Sequence, residues 1–307
     1  MQVSLPMKKQ MGLQLLTALF FLLVTGLGIL GNMSVFVNFM YSSGGGIEKN
    51  CAQLILIHLV LTNTMLLLTK GLPKTIAAFG LNYFLSVTGC RITLYLERVS
   101  RGLSICTSSL LTVVQASTIS PRASVWRRLK PRSAWHIFLL LLFFWILNCF
   151  ISMSLLNIII ITDMNSSHFE TDVYCTTQPA SPELNNISLT FMIVRDAVFQ
   201  GTMAVASGYM VFLLRKHHQR VQYLQNSKFL YKTPPEMKAA ESILQLMLCF
   251  LFFYFADCLL CFYLLSSSEY NSIPKVSQEI LTLGFAFLSP FVLIHRNGHL
   301  IECFGVH

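Results

Sequence analysis

Charge is scarce in this chain of 307 residues, since Asp, Glu, Lys and Arg together make up only 11% of it. A soluble globular domain carries about 25% charged residues, so the composition excludes an ordinary soluble enzyme or binding module. It also excludes a disordered chain, because disorder requires few apolar residues and abundant charge, whereas 54% of this sequence is hydrophobic. The remaining class is a membrane protein that crosses the bilayer several times.

Long hydrophilic segments and internal repeats are absent as well. The gaps between apolar runs are too short for a separate soluble domain, so we predict a single membrane domain over residues 1–307. The two halves show no matched pair of interrupted apolar segments, which argues against the commonest transporter designs. A transporter or channel that uses buried charges stays an alternative function.

Seven apolar runs are long enough to cross a hydrocarbon core, which takes about 20 helical residues. The first run is too long for the core of a signal peptide, so we predict an uncleaved helix there. The fold class is therefore all-α, with seven transmembrane helices in one bundle. The predicted spans are 11–40, 53–74, 90–119, 134–161, 189–214, 242–265 and 276–295.

Basic residues predict the orientation of the bundle. With the N-terminus outside, more than half of the 22 Lys and Arg residues fall in cytoplasmic segments, while the loop at 162–188 on the other face is acidic and has no basic residue. Cytoplasmic loops of membrane proteins carry such an excess of Lys and Arg. We therefore predict an extracellular N-terminus and a cytoplasmic C-terminus. The net charge of +9 then reflects topology and contact with membrane lipids, and it requires no nucleic acid.

Two kinds of modification are predicted on the outer face. The triplets that begin at Asn165 and Asn186 fit the N-glycosylation acceptor sequence, and both lie in the acidic loop. Cys90 lies at the outer end of the third span and Cys175 lies in the same loop. Both cysteines would face an oxidising compartment, where a disulfide bridge can form and persist.

Ionisable residues inside the predicted spans are the most informative ones. Each costs about 2.5–3.5 kcal/mol at a helix centre, so such residues pair or face a wet cavity, and they mark functional sites. Given a helical rise of about 1.5 Å per residue, all of them fall in the outer half of the bundle, on four helices. The set consists of Glu97, Arg98, Arg101, Arg195, Asp196, Asp257 and Glu279.

These charges predict a polar pocket that opens to the outside and is walled by Phe, Leu and Met, which is the usual profile of a small-molecule site. We expect a small, largely apolar ligand with one or two polar groups. Glu97 and Arg101 are spaced i,i+4 with the acid first, the favourable order for an ion pair, and Glu97 is the best candidate for ligand selectivity. The predicted ligand-binding residues are Glu97, Arg98, Arg101, Arg195, Asp196 and Asp257.

The same charges have an alternative, purely structural explanation. Pairs such as Arg195–Asp257 or Arg98–Asp196 can lock helices together without touching a ligand. Glu279 lies only about 6 Å into the last span, so it is expected to be a solvated helix end.

The uncharged polar residues of the spans do not indicate an enzyme. Gly102-Leu103-Ser104 has the form used by intramembrane serine proteases, which need a histidine at the same depth, but the one histidine clearly inside a span, His58, is predicted to lie at another level. No set of Cys and His has metal-site spacing, and no cofactor is expected. Asn32 and Asn63 are expected to form interhelical hydrogen bonds, which contribute about 0.6 kcal/mol each in lipid.

The spans resemble those of a G-protein-coupled receptor, with Gly31-Asn32 in the first helix and a bridge from the third helix to the second outer loop. The usual rhodopsin-like signatures are missing, however. The inner end of the third span reads Gln115-Ala116-Ser117-Thr118 in place of an acidic-Arg-aromatic triplet, and Asn63 stands where an Asp is expected. Pro290 in the last span has no Asn before it and no Tyr after it.

Blocks in all of the spans resemble mammalian vomeronasal type-1 receptors. The resemblance implies a pheromone-type chemosensory receptor at the plasma membrane, which couples to a heterotrimeric G protein of the inhibitory type through its basic cytoplasmic loops. A bitter-taste-type receptor is the related alternative. The matching blocks include 58–63, 70–74, 77–80, 98–107, 118–121, 195–196 and 289–294.

Overall fold

The computed structural model of the chain describes residues 4–42, 51–80, 86–121, 123–131, 133–153, 159–160, 177–178, 182–225, 235–266 and 272–295. A π-helical turn, Leu67–Gly71, joins α2 to α3, and a short ladder pairs β1 (Ile159–Ile160) with β2 (Thr177–Gln178) in antiparallel fashion. The α-helices within these ranges are α1 (Ser4–Ser42), α2 (Cys51–Leu66), α3 (Leu72–Ala78), α4 (Val87–Ile119), α5 (Val125–Arg128), α6 (Ala134–Ser152), α7 (Pro182–Gln225), α8 (Pro235–Ser266) and α9 (Ser272–His295).

Local sequence explains where several helices begin and end. Ser86 and Ser133 cap α4 and α6, because their hydroxyl oxygens accept hydrogen bonds from the backbone N–H groups of Gly89 and Trp135, both at 3.2 Å. Such caps satisfy donors that have no partner inside the helix. After α3 the chain turns at Gly80, whose φ of +85° is a left-handed conformation that glycine adopts without steric cost.

The central helix of the bundle is α4. In its most apolar stretch of 18 residues, 78% of the residues are buried, against 28% and 22% in the corresponding stretches of α6 and α7. It packs against α2, α6, α7 and α8, and its Leu103 and Leu111 belong to the largest cluster of buried apolar side chains. Charges on α4 are therefore surrounded by other helices rather than by lipid.

Large apolar side chains cover the outside of the bundle. Phe138, Phe143 and Ile146 of α6, and Val198 and Val205 of α7, are each about half exposed or more. A soluble monomer rarely exposes contiguous apolar surface on this scale, whereas a bilayer stabilises it. Six of the described stretches are long and apolar enough to cross a membrane, namely Leu15–Tyr41, Cys51–Ala78, Thr88–Ile119, Ala134–Ser152, Asn186–His217 and Ser277–Ile294.

The structure agrees with an all-α membrane protein, but two predicted spans differ in detail. The span 134–161 is too long, since α6 ends at Ser152 and residues 159–160 form β1. The run of four isoleucines at 158–161 is β-branched, which favours a strand over a helix. In α8, the apolar stretch in the described part of the chain is limited to Leu244–Asp257. The seventh span and the orientation of the termini stay predictions.

Candidate functional site

A small cavity lies between α2, α4, α8 and α9. Its polar groups are contributed by Arg101 and Ser104 of α4, Tyr254 and Asp257 of α8, and Thr282 of α9. Two of the six predicted ligand-binding residues, Arg101 and Asp257, therefore line it. The apolar walls include Leu66, Ile105, Phe250, Phe253, Leu281 and Phe285.

Arg101 and Asp257 form an ion pair at the side of this cavity. Nη2 of Arg101 lies 2.6 Å from Oδ2 of Asp257, and the carboxylate is only 3% exposed. The Thr282 hydroxyl donates to the other carboxylate oxygen at 3.4 Å, so α4, α8 and α9 meet at one acid. The Arg101 guanidinium also lies over the Tyr254 ring, 5.4 Å from its centre, which adds a cation–π attraction.

Tyr254 links the cavity to a second ion pair. Its hydroxyl donates to Asp196 of α7, and the same carboxylate accepts from Nε of Arg195 at 2.7 Å. Arg195 in turn donates from Nη1 to the side-chain oxygen of Asn148 on α6, also at 2.7 Å. The cavity on α8 is thereby connected to α7 and α6 through a continuous chain of polar contacts.

This second ion pair reaches α4 only because of Gly102. A Cβ atom at this position would collide with the Asn148 side-chain oxygen and with Nη1 of Arg195. The hydrogen bond between Asn148 and Arg195 thus passes directly over the α4 backbone. An alanine or any larger residue at position 102 would have to displace a buried, hydrogen-bonded charge.

A third group of charges is built around Lys70. Its Nζ atom lies 2.9 Å from Oε1 of Glu97 and 3.3 Å from Oε2 of Glu279, and Oε1 of Glu279 lies 3.3 Å from Nζ of Lys74. We call these four residues the Lys70 cluster. Lys70 and Glu97 each lie about one helical turn along their helices from the cavity residues Leu66 and Arg101. The cluster therefore joins the π-helical turn, α3, α4 and α9 beside the cavity.

Lys70 lies within the π-helical turn Leu67–Gly71, and its side chain is mostly buried in the bundle. A π turn adds one residue to the helical repeat, which rotates the following side chains by about 100° relative to a regular helix. Sequence reasoning missed Lys70 because it stands near the end of the predicted span 53–74, where a lysine side chain can extend to the interface. Asn148 and Tyr254 are neutral side chains, so the high cost of a buried charge, which points to the charged members of the site, gives no signal for them.

Two of the pairings predicted within the charged set are wrong. Glu97 and Arg101 do not pair with each other, because Lys70 and Asp257 from neighbouring helices take one each. A Glu97–Arg101 pair would leave Asp257 without its ionic partner in the membrane, at a cost of about 2.5–3.5 kcal/mol. Arg195 likewise pairs with its neighbour Asp196 and not with Asp257.

Arg98 and Glu279 also depart from expectation. Nη1 of Arg98 is buried and has no hydrogen-bond partner among the described residues, so an Arg98–Asp196 tie is not observed there. Glu279 is no solvated helix end, because its side chain is only 25% exposed and contacts two lysines. Its shallow position on α9 is compensated by Lys70 and Lys74, which reach it from the adjoining helices.

The interhelical hydrogen bonds expected of two asparagines are present. The side-chain amide of Asn32 donates to the Ala286 carbonyl at 2.9 Å, which joins α1 to α9. The amide of Asn63 donates to the Ser289 hydroxyl at 2.9 Å and its oxygen accepts from the Ser104 hydroxyl at 3.0 Å. Ser104 is thus held by an asparagine and not by a histidine.

His58 links neighbouring helices through hydrogen bonds of both ring nitrogens. The indole N–H of Trp145 donates to Nε2 at 3.0 Å, and Nδ1 lies 3.0 Å from the Thr107 hydroxyl. Because an indole can only donate, Nε2 must be an acceptor and the neutral ring carries its proton on Nδ1. His58 therefore ties α2 to α4 and α6 and offers no base to Ser104.

The predicted outer-face modifications fall largely outside the described residues. Asn165 and Cys175 lie there, so the glycosylation at the first and the bridge to the second stay predictions. Cys90 is buried in the first turn of α4, and Asn186 is exposed near the start of α7.

Comparison with known proteins gives the family of the chain. The family model described as the vomeronasal organ pheromone receptor family matches residues 16–306. The chain belongs to the vomeronasal type-1 receptor family. The resemblance that the sequence blocks indicated is therefore confirmed, and the family is one of G-protein-coupled receptors.

Individual relatives of this vomeronasal type-1 family member come from several vertebrates. Vomeronasal type-1 receptor 4 of Homo sapiens is 34% identical over 279 residues, which cover 88% of this chain and 90% of the relative. Vomeronasal type-1 receptor 46 of Mus musculus is 32% identical over 278 residues, covering 90% and 89%. Olfactory receptor class A-like protein 1 of Danio rerio is 30% identical over 289 residues, covering 91% and 89%.

Proposed function

We propose that this receptor is a seven-helix chemosensor of the plasma membrane that binds a small, mostly apolar ligand in the cavity at Arg101 and Asp257 and activates a heterotrimeric G protein of the inhibitory type. The observation that carries the proposal is a buried ion pair inside a cavity whose other walls are mainly apolar. Such a site offers contact surface to an apolar ligand, and it offers both a donor and an acceptor to the ligand's polar group.

In the proposed topology α8 also crosses the membrane, which brings the number of spans to seven. Its 32 residues are about 48 Å long at 1.5 Å per residue, which exceeds a hydrocarbon core of about 30 Å. Arg101 lies in the N-terminal half of α4, whereas the basic helix α5 follows the C-terminal end of α4. The excess of Lys and Arg on cytoplasmic loops then puts α5 inside the cell and the cavity in the outer half of the bundle.

The small size of the cavity supports a link between ligand binding and helix movement. Its volume is about 40 Å³, which is room for about three water molecules, whereas sites for drug-sized ligands measure about 300–1,000 Å³. A ligand larger than a few waters must therefore displace side chains such as Phe253 and Tyr254. Both belong to α8, so we infer that binding shifts α8 relative to α4.

Tyr254 provides a route from the cavity to α7. Its ring lines the cavity and lies under Arg101, while its hydroxyl contacts Asp196 of α7. A ligand that displaces the ring necessarily disturbs this contact. We infer that Tyr254 passes the movement of α8 on to α7, whose C-terminal half leads to the cytoplasmic segments.

Second-messenger output tests the proposed function. The receptor is expressed with an inhibitory or a promiscuous G protein and exposed to a panel of volatile and steroidal compounds. We expect a ligand-dependent response in the wild type and also in a Glu183→Gln control, because Glu183 is exposed at the start of α7. Silence across a broad panel with verified surface expression contradicts the proposal, and ligand-independent ion flux favours a channel.

Changing Glu97 to Gln is expected to alter ligand rank order while surface expression stays close to that of the wild type. Lys70 keeps its contact with Glu279 in this variant, so no charge is left without a partner. Loss of a hydrogen bond to a charged group corresponds to about a tenfold change in potency for ligands that depend on it. Dose–response curves for several ligands measure this change, and a collapse of surface expression would show that Glu97 is structural.

The outer-face modifications yield a separate prediction. Glycosidase treatment of the wild-type receptor is expected to reduce its apparent mass, and the Asn165→Gln/Asn186→Gln double variant is expected to show no such shift. Asn185→Gln serves as the matched control, since Asn185 neighbours the second acceptor but does not begin a glycosylation triplet. A shift that persists in the double variant would contradict the proposed position of this loop outside the cell.

A further inference from the structure

The inner half of α4 carries no charge that could form an ionic lock. Residues 102–121 contain no Asp, Glu, Lys or Arg, although the acidic-Arg-aromatic triplet of related receptors belongs at 115–118. The side chains that α4 contributes to a closed cytoplasmic end are therefore neutral. The structure places a further neutral group, the hydroxyl of Tyr209 on α7, at the junction of α4 and α5.

Tyr209 joins three elements through its hydroxyl. The oxygen lies 3.0 Å from the Ser124 hydroxyl, which caps α5, and it accepts from the Ser120 hydroxyl, which follows α4, at 3.3 Å. Ser124 Oγ also accepts from the Trp126 backbone N–H at 3.3 Å. The phenol thus holds the end of α4 and the start of α5 against α7.

The ring of Tyr209 makes a second, independent contact with α5. It stacks on the indole of Trp126, with the ring centres 5.2 Å apart and the planes inclined by only 14°. The next residue, Arg127, donates from Nη1 to the Thr118 carbonyl at 3.0 Å, which satisfies one of the free carbonyls at the end of α4. The short helix α5 is therefore attached to α7 by Trp126 and to α4 by Arg127.

Beneath these contacts lies a small apolar cluster that does not depend on them. Ala116 of α4, Ala206 and Met210 of α7, and Leu244 of α8 are buried together, and Trp126 and Tyr209 pack on their edge. If the hydroxyl contacts break, the apolar cluster can keep the helices packed while α5 moves. The apolar cluster thus stays packed, while the hydroxyl contacts can break at a small cost in free energy.

We propose that Tyr209 is a resting-state latch, which holds α5 across the α4–α7 junction and restrains the cytoplasmic face until activation releases it. This inference rests on the proposed coupling to a G protein. Two hydrogen bonds of the Tyr209 hydroxyl and one aromatic stack take the place of the missing ionic lock. The latch lies on α7, the helix that receives the contact from Tyr254, so movement of α7 at the cavity and release at Tyr209 occur on one rigid element.

Nucleotide loading of the G protein without ligand tests the latch. In membranes that contain the receptor and an inhibitory-type heterotrimer, Tyr209→Phe keeps the stack on Trp126 but removes both hydroxyl bonds. We expect basal loading to rise about three- to tenfold at equal surface expression, and Ser124→Ala to change it in the same direction. Tyr41→Phe is the matched control, because Tyr41 is 83% exposed at the end of α1.

Hydrogen–deuterium exchange of the purified receptor separates the latch from the proposed coupling. Peptides within 115–130 are expected to exchange about three- to tenfold faster in Tyr209→Phe than in Tyr41→Phe. If the wild type loads the G protein but Tyr209→Phe leaves basal loading unchanged, the latch is overturned. If no variant loads any G protein, the proposed coupling fails. In that case equal exchange rates of the 115–130 peptides in Tyr209→Phe and Tyr41→Phe would overturn the latch independently.

Discussion

Replacement of Gly102 by alanine is expected to abolish most of the folded receptor at the cell surface. The added Cβ would meet the Asn148 oxygen and Nη1 of Arg195 at distances that no real contact allows. Both side chains must then move, and Arg195 has little space to do so because it is only 3% exposed. Breaking the contacts of a buried charge costs about 3–5 kcal/mol, which is a large part of the stability of most proteins.

Matched glycines in α7 make this result interpretable. Gly201 and Gly208 are helical as well, and an added Cβ would meet nothing within 4 Å at either position. Alanine there is expected to leave surface expression unchanged or slightly raised, since alanine is the better helix former by about 1 kcal/mol. Equal surface signals for Gly102→Ala and Gly201→Ala, measured by flow cytometry on an extracellular tag, would contradict the close approach of Arg195 to α4.

Replacement of Asp257 by asparagine is expected to impair folding strongly. The variant leaves Arg101 without its ionic partner in a site where the carboxylate is only 3% exposed. The penalty is again about 3–5 kcal/mol, reduced by the 27% exposure of the arginine side chain and by its contact with Tyr254. Surface expression and thermal stability in detergent measure the effect. Wild-type values for both would show that the ion pair does not stabilise the bundle.

A double variant, Arg101→Gln/Asp257→Asn, separates stability from ligand recognition. Neither side chain is charged in this receptor, so the cost of a stranded ion disappears, and replacement of a buried ion pair by neutral groups is often close to neutral for stability. We expect surface expression to recover towards the wild-type level. The single variant thus reports on folding, and the double variant reports on function.

The helical bundle could be predicted from sequence because the membrane leaves few options. Backbone groups in hydrocarbon must be satisfied within the segment, which leaves helices as the structure of long apolar runs. The high cost of a charge in the membrane also identified Arg101, Asp257, Arg195 and Asp196 as residues with partners. The end of the fourth span could not be read from hydropathy, since the four isoleucines at 158–161 are as apolar as a helix but favour a strand.

The pairing of the charges could not be predicted, because it depends on how each helix is rotated. The spacing of Glu97 and Arg101 places both on one face of α4, but their partners come from the π-helical turn and from α8. Lys70, which contacts Glu97, lies in a π-helical turn, and hydropathy carries no signal for such a turn. Neutral partners such as Asn148 and Tyr254 become visible only when the helices are packed together.

The most direct test of the central claim is the ligand response of Arg101→Gln/Asp257→Asn at surface expression matched to the wild type. Second-messenger output is measured for a ligand that activates the wild type, with Glu183→Gln as the control. We expect a loss of potency of about 100-fold or more, because two hydrogen bonds to charged groups are removed from the site and each is worth about 1.5–3 kcal/mol. A response with wild-type potency in the double variant would show that the ligand is not bound at this ion pair.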